Sequence, residues 1–275
     1  MADGRQKKFI KELLSKAKTR REQGLYVVDG PKMCSELSPC DVEKIYVTDD
    51  FFASNQADMC RDILSECGYE QVSGSEMKQM SDTVTPQGIL VVARQRRIKG
   101  LSGLMERVNK KEAPLLLLLD TMQDPGNLGT VLRASEAAGV DGIIMNRECV
   151  DIYSPKVVRS TMGAVLRVPF LVVDDLTRAM DRLRDRSFME EFSVATPEFY
   201  AACLDAEGYH TDFDYRKGSC FMIGNEAHGL SPELIEKADH RIKIPMHGNV
   251  ESLNAAMAAT VLVFEADRQR RVVKQ

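Results

Sequence analysis

The apolar positions of this chain fall into two successive alternations of helix and strand. In the first, Phe9, Ile10, Leu13, Leu14 and Ala17 recur at helical spacing, which predicts an amphipathic opening helix. Leu25 to Val28 is a short apolar run closed by Asp29-Gly30, a strand and its turn. Pro31 starts a helix through about Leu37, because proline suits a first helical turn. Ile45 to Val47 reads as a strand. Met59, Ile63 and Leu64 share one face of a helix that ends near Gly68, a short helix runs through Met80, and Gly88 to Ala93 is a strand. This alternation predicts a small α/β domain over residues 1–95.

Residues 96–112 are a polar, basic linker followed by a helix from Leu101 to Asn109. The second alternation occupies 113–275. Leu115 to Leu119, five leucines in a row, is a fully buried strand, and Asn127 to Ala138 is a helix closed by Gly139. Gly142–Met145, Val168–Val172, Ser193–Ala195, Cys220–Ile223 and Arg241–Ile244 read as strands. Helices are predicted from Lys156, over Leu176–Arg186, from Ser231-Pro232 to Lys237, and from about Ser252 to Arg268. Uninterrupted apolar strands separated by helices mean a parallel sheet covered on both faces.

Composition narrows the picture. Seven cysteines without zinc-knuckle spacing, and only four histidines, argue for reduced packed thiols and no metal site. No apolar stretch reaches membrane-spanning length, and the polar, basic start lacks the apolar core of a signal peptide, so a cytoplasmic protein is expected. The net charge of −4 sits badly with nucleic-acid binding until its distribution is followed. Residues 1–24 are rich in lysine and arginine, among them Arg20 and Arg21. Residues 94–111 carry seven basic side chains against Glu106, and the C-terminal tail is basic again. Such patches on an acidic body suit phosphate contact, and each equally suits a solvated helix face.

The candidate chemistry lies where three apolar runs open into glycine-bearing loops, the place where α/β sheets hold ligands. Leu115–Leu119 leads into Asp120-Thr121-Met122-Gln123-Asp124-Pro125-Gly126-Asn127, with Arg133 six residues further on. Ile223 leads into Gly224-Asn225-Glu226-Ala227-His228-Gly229-Leu230. Ile244-Pro245-Met246-His247-Gly248 leads through Ser252-Leu253-Asn254 into the last helix. In this order, across roughly residues 113 to 270, the three segments resemble the motifs of the SpoU (TrmH-like) branch of the SPOUT RNA methyltransferases. The first 95 residues resemble, more weakly, the ribosomal-protein-like RNA-binding domain that many such enzymes carry, through Tyr26-Val27-Val28-Asp29-Gly30 and Thr85-Pro86-Gln87-Gly88.

The resemblance implies an α/β fold whose C-terminal chain is tied into a trefoil knot, a homodimer, S-adenosylmethionine as cofactor, and RNA, most of all 23S-type ribosomal RNA, as substrate. It assigns catalysis to Arg133, Asn127, Glu226, Ser252 and Asn254. Donor contacts go to Thr196, Gly224, Ile244, Met246 and Leu253. RNA contact goes to Lys156 and Arg159, to which the N-terminal patch adds Arg20 and Arg21. Leu253, Ala256, Met257, Thr260, Val261 and Phe264 offer a helix face for the core or for a partner.

Methyl transfer to a ribose hydroxyl needs a donor and acceptor held in line and stabilisation of negative charge growing on oxygen. Guanidinium is a fixed cation and a poor base, so Arg133 suits a phosphate clamp and alkoxide stabiliser. Plainer roles remain open at several positions: Asn127, Ser252 and Asn254 are also natural helix caps. Two other substrates or roles also remain: transfer RNA, and RNA binding without turnover. Neither Gly-x-Gly-x-x-Gly nor Gly-x-x-x-x-Gly-Lys-Ser/Thr follows a strand, which counts against a dinucleotide-dependent dehydrogenase or a kinase.

Overall fold

The computed structural model describes residues 4–108, 110–206 and 208–272. They form two compact units: the chain up to Arg96 together with Asp151–Leu166, and Arg97–Val150 together with the chain from Arg167.

The first unit runs α1 (Gly4–Ser15), α2 (Ala17–Gln23), β1 (Leu25–Asp29), α3 (Pro31–Cys34), β2 (Val42–Val47), α4 (Asp49–Phe52), α5 (Arg61–Cys67), β3 (Glu70–Gln71), α6 (Gly74–Met80) and β4 (Ile89–Arg94). Its sheet has the order β1-β4-β2-β3, with β4 antiparallel to both neighbours and β3 parallel to β2. The apolar stripe of α1, Ile10 and Leu13, packs with Val27, Tyr46, Met77, Met80, Leu90 and Val92.

Arg20 does not contact solvent as an RNA-binding side chain must. It is 4% exposed, pairs with Asp151 at 2.7 Å, and donates to the carbonyl oxygens of Leu13 and Leu14. A guanidinium taken out of water needs such partners, and here they join the turn between α1 and α2 to a segment far along the chain. Arg21 is exposed. The Arg20–Asp151 pair and the Tyr26–Tyr153 ring contact at 4.6 Å bring residues 151–166 into the first unit, although their place in the sequence put them in the second.

Later in the chain come α7 (Gly100–Val108), β5 (Leu115–Leu119), α8 (Pro125–Ala137), β6 (Gly142–Asn146), α9 (Pro155–Ser160), α10 (Ala164–Arg167), β7 (Phe170–Val173), α11 (Leu176–Arg184), α12 (Arg186–Glu191), β8 (Glu198–Ala202), β9 (Gly208–Tyr209), β10 (Ser219–Ile223), α13 (Pro232–Glu236), β11 (His240–Lys243) and α14 (Ala255–Val272). The predicted helix end at Asn109 lies outside the described residues. Of these elements, α9 and most of α10 belong to the first unit.

The second unit is built on a sheet of order β7-β6-β5-β10-β8-β11-β9, parallel at every pairing. The five leucines of β5 are all buried, as are all residues of β10 beside it, because helices cover both faces at the middle of the sheet. Full burial of each leucine contributes about 2 kcal/mol from apolar surface alone.

One strand was misplaced by the sequence reading. Ser193 to Ala195 carry no strand, and β8 starts at Glu198. Thr196 therefore precedes β8, where its carbonyl oxygen lies 3.2 Å from the position a side chain on Gly218 would take. That is the start of the strands, opposite the edge where the motif loops emerge, so Thr196 does not serve the pocket described below.

Candidate active site

Loops after β5, β8, β10 and β11 meet at the C-terminal edge of the seven-stranded sheet. Those after β8, β10 and β11, with the first half of α14, enclose a cavity of about 390 Å³. Ile223, Gly224 and Leu230 form one wall, and Ile242, Ile244, Met246 and Leu253 another. The end of β8, Ala202 to Leu204, closes a third side. A concave, mostly apolar slot with a few polar groups at its mouth is the usual form of a small-molecule site.

Gly224 is fixed by space. A Cβ there would lie 2.1 Å from the carbonyl carbon of Gly229 and 2.2 Å from the Leu230 nitrogen. The chain doubles back so tightly because Asn225 and Gly229 exchange two backbone hydrogen bonds of 2.9 Å, with Gly229 in the left-handed region at φ 71°.

The polar mouth is a relay of three side chains, one from each motif. Asn254 Nδ2 donates to Asn127 Oδ1 at 2.9 Å, and Asn127 Nδ2 donates to Glu226 Oε1 at 2.9 Å. Glu226 also accepts from the N–H groups of Gln123 and Asp124.

Local structure explains each position. Asp124, not Asn127, caps α8: its Oδ1 accepts from the Asn127 N–H at 2.8 Å, and Pro125 fills the first helical position. The helix thus starts two residues before the sequence reading placed it, and the Asn127 side chain is left available for the relay. Asn254 caps α14, its Oδ1 accepting from the N–H groups of Ala256 and Met257, and its amide also reaches Asn127.

Partial burial pushes the Glu226 carboxyl up. The Asn127 amide and the backbone N–H groups around it outweigh that effect, and the net shift is downward. Glu226 is thus an anion that orients donors. Ser252 faces the cavity and makes no side-chain hydrogen bond among the described residues.

The structure brings Asn127, Glu226, Asn254 and Ser252 together and sets Gly224, Ile244, Met246 and Leu253 in the cavity wall. Arg133 stands apart. It lies on the exposed stripe of α8 with Thr130 and Ala137, does not line the cavity, and makes no hydrogen bond or ion pair among the described residues. Lys156 is exposed on α9, and Arg159 pairs with Asp82 at 2.9 Å; both belong to the first unit. The sequence reading missed Ala202, Cys203 and Leu204. The signal was the apolar run Phe199–Ala202 breaking at Asp205, hidden by the early strand assignment.

The SpoU rRNA Methylase family profile matches residues 114–264, and the MRM3-like substrate binding domain profile matches residues 5–91. The chain belongs to the SpoU rRNA methylase family. Among its relatives, the mitochondrial rRNA methyltransferase 3 of Mus musculus is 30% identical over 92% of this chain and 69% of its own length. The 23S rRNA (guanosine(2553)-2'-O)-methyltransferase RlmP of Bacillus subtilis is 27% identical over 90% of each chain. Among solved structures, the SpoU methyltransferase AviRb of Streptomyces viridochromogenes, in complex with AdoMet, superposes with a TM-score of 0.83 at 25% identity, covering 98% of this chain and 99% of its own.

Proposed function

We propose that this chain is an S-adenosylmethionine-dependent RNA methyltransferase that methylates a ribose 2'-hydroxyl in ribosomal RNA. The observation that carries the proposal is the Asn254–Asn127–Glu226 relay at the mouth of the apolar cavity, in a member of a methylase family.

The cavity fits the donor: it combines apolar walls for a purine with an anionic carboxylate at the mouth, suited to a cation. Ile244, Met246 and Leu253 would hold the adenine side, and Gly224 lets the backbone approach. When bound, S-adenosylmethionine supplies an electrophilic methyl group on a sulfonium sulfur. The chain's own work is orientation and charge. Glu226 and Asn254 fix the Asn127 amide, and Ser252 presents a free hydroxyl at the cavity wall. Arg133 clamps the target phosphate and stabilises the negative charge growing on the ribose oxygen, whose proton passes to water.

Arg133 is a turn and a half beyond Asn127 on α8, outside its own cavity, so it completes the site from a second copy in a homodimer. The exposed Met257 and Phe264 on α14, the helix packed on α8, support that arrangement as a contact face. The close doubling at Gly224 supports the threading of the C-terminal chain as a trefoil knot. The exposed Lys156 and Arg21 are phosphate contacts of the RNA-binding unit.

The test is nucleoside mass spectrometry on ribosomal and transfer RNA from cells with and without the gene. Loss of one 2'-O-methylnucleotide from ribosomal RNA is the expected result. Loss from transfer RNA instead would reassign the substrate, and no loss from either would leave an RNA-binding factor without turnover.

A further inference from the structure

The turn joining β5 to α8 adopts a conformation its sequence resists. Thr121 has φ 56°, in the left-handed region that a β-branched residue rarely enters. Three side chains hold it there. Its N–H donates to Asn146 Oδ1 at 3.0 Å, and its carbonyl accepts from Asn225 Nδ2 at 2.7 Å. Its hydroxyl donates to Asp120 Oδ1 and accepts from Asn146 Nδ2, both at 3.0 Å. Asn146 Nδ2 also donates to Asp120 Oδ1 at 2.8 Å, and Asp120 Oδ2 accepts from the Ser231 N–H at 2.9 Å. Asp120 and Asn146 are 7% and 8% exposed, so these bonds are made away from water.

None of these groups belongs to the Asn254–Asn127–Glu226 relay, yet they join the two loops that carry it. Two and three residues after Thr121 come Gln123 and Asp124, whose N–H groups reach Glu226. Asn225 immediately precedes Glu226 and shapes that loop, its Oδ1 accepting from the N–H groups of Ala227 and His228. Strain that persists because its surroundings over-determine it marks a place where geometry matters.

We propose that Asn225 and Asn146 are positioning residues for methyl transfer: by holding Thr121 in its left-handed turn they keep Glu226 and Asn127 in register at the mouth of the cavity. This rests on the methyltransferase reading above. Misplacement of reacting groups by about 1 Å costs on the order of 100-fold in rate, which sets the scale of the effect.

The test uses Asn225→Ala and, in case that variant does not fold, Asn225→Ser, which keeps a short acceptor for the Ala227 N–H but cannot reach Thr121. Thermal melting, kcat and KM for RNA, and amide hydrogen exchange at Gln123 and Asp124 are measured on the full chain. The expected result is a parent-like melting temperature and KM, kcat lowered about 10- to 100-fold, and faster exchange at those two amides. Adding Thr121→Gly, which takes the left-handed turn without help, should restore part of kcat. A parent-like kcat, or a lowered kcat with parent-like exchange at both amides, would overturn the proposal. If the parent itself transfers no methyl group, the methyltransferase reading fails, and exchange in the Asn225 variants alone decides the positioning role.

Discussion

The two edges of the seven-stranded sheet use polar side chains in opposite ways. At the C-terminal edge, Asn254, Asn127 and Glu226 bond side chain to side chain across about a hundred residues of sequence per link, around an apolar cavity. Toward the strand starts, the polar groups serve packing. Tyr200 donates to Glu198 at 2.7 Å, stacks on His240 at 4.9 Å, and lies among Tyr215, Phe213 and Phe221. Burial pushes the Tyr200 and Tyr215 hydroxyls well above their ordinary range, so both stay neutral. The same sheet therefore separates stability from chemistry by edge. A polar residue at the first edge should matter more for turnover than for folding, and at the second the reverse.

The largest expected effect is at Gly224. Gly224→Ala forces the loop off Gly229 and Leu230, and calorimetry with S-adenosylhomocysteine should show no binding. Next is Asn254→Ser, which keeps a helix cap but cannot reach Asn127. We expect kcat to fall about 100- to 1,000-fold, the scale of one lost oriented donor, with melting changed by little. Arg133→Ala should be as damaging, and mixing Arg133→Ala with Asn254→Ser protomers should regain activity if the arginine acts across a dimer. Activity of the mixture no better than either variant would rule out action across a dimer.

The relay also has a pH signature. The folded pKa of Glu226 is lowered, so its contribution to stability is present above the unfolded value and lost as pH falls through the folded one. Glu226→Gln should lower the melting temperature at neutral pH and flatten its fall on the acid side, so that parent and variant converge at low pH. The smallest effect belongs to the other edge. Tyr200→Phe removes one hydrogen bond, costs about 1 kcal/mol of stability, and should leave kcat within about twofold. A large drop in turnover there would erase the contrast between the edges.

What the sequence made legible follows from range. The leucine run of β5 and the three glycine-bearing loops are local patterns, and they located the cavity and most of its wall. The three relay residues were picked out as candidates, but not the bonds between them, which join side chains about a hundred residues apart; the cap also weighed for Asn127 belongs to Asp124, just before Pro125. Arg20 was read as a surface charge because its partner, Asp151, lies 131 residues away. The end of β8 was missed because Ser193–Ala195 imitates a strand, while the true strand opens on a glutamate. The left-handed Thr121 was invisible, since nothing in a threonine announces a positive φ.

The most direct test of the account is single-turnover transfer of a labelled methyl group from S-adenosylmethionine to ribosomal RNA by the parent and by Asn254→Ser. Label on one ribose 2'-oxygen, formed at least about 100-fold more slowly by the variant, is the predicted result. Label on a base, or an undiminished rate in a folded variant, would contradict it.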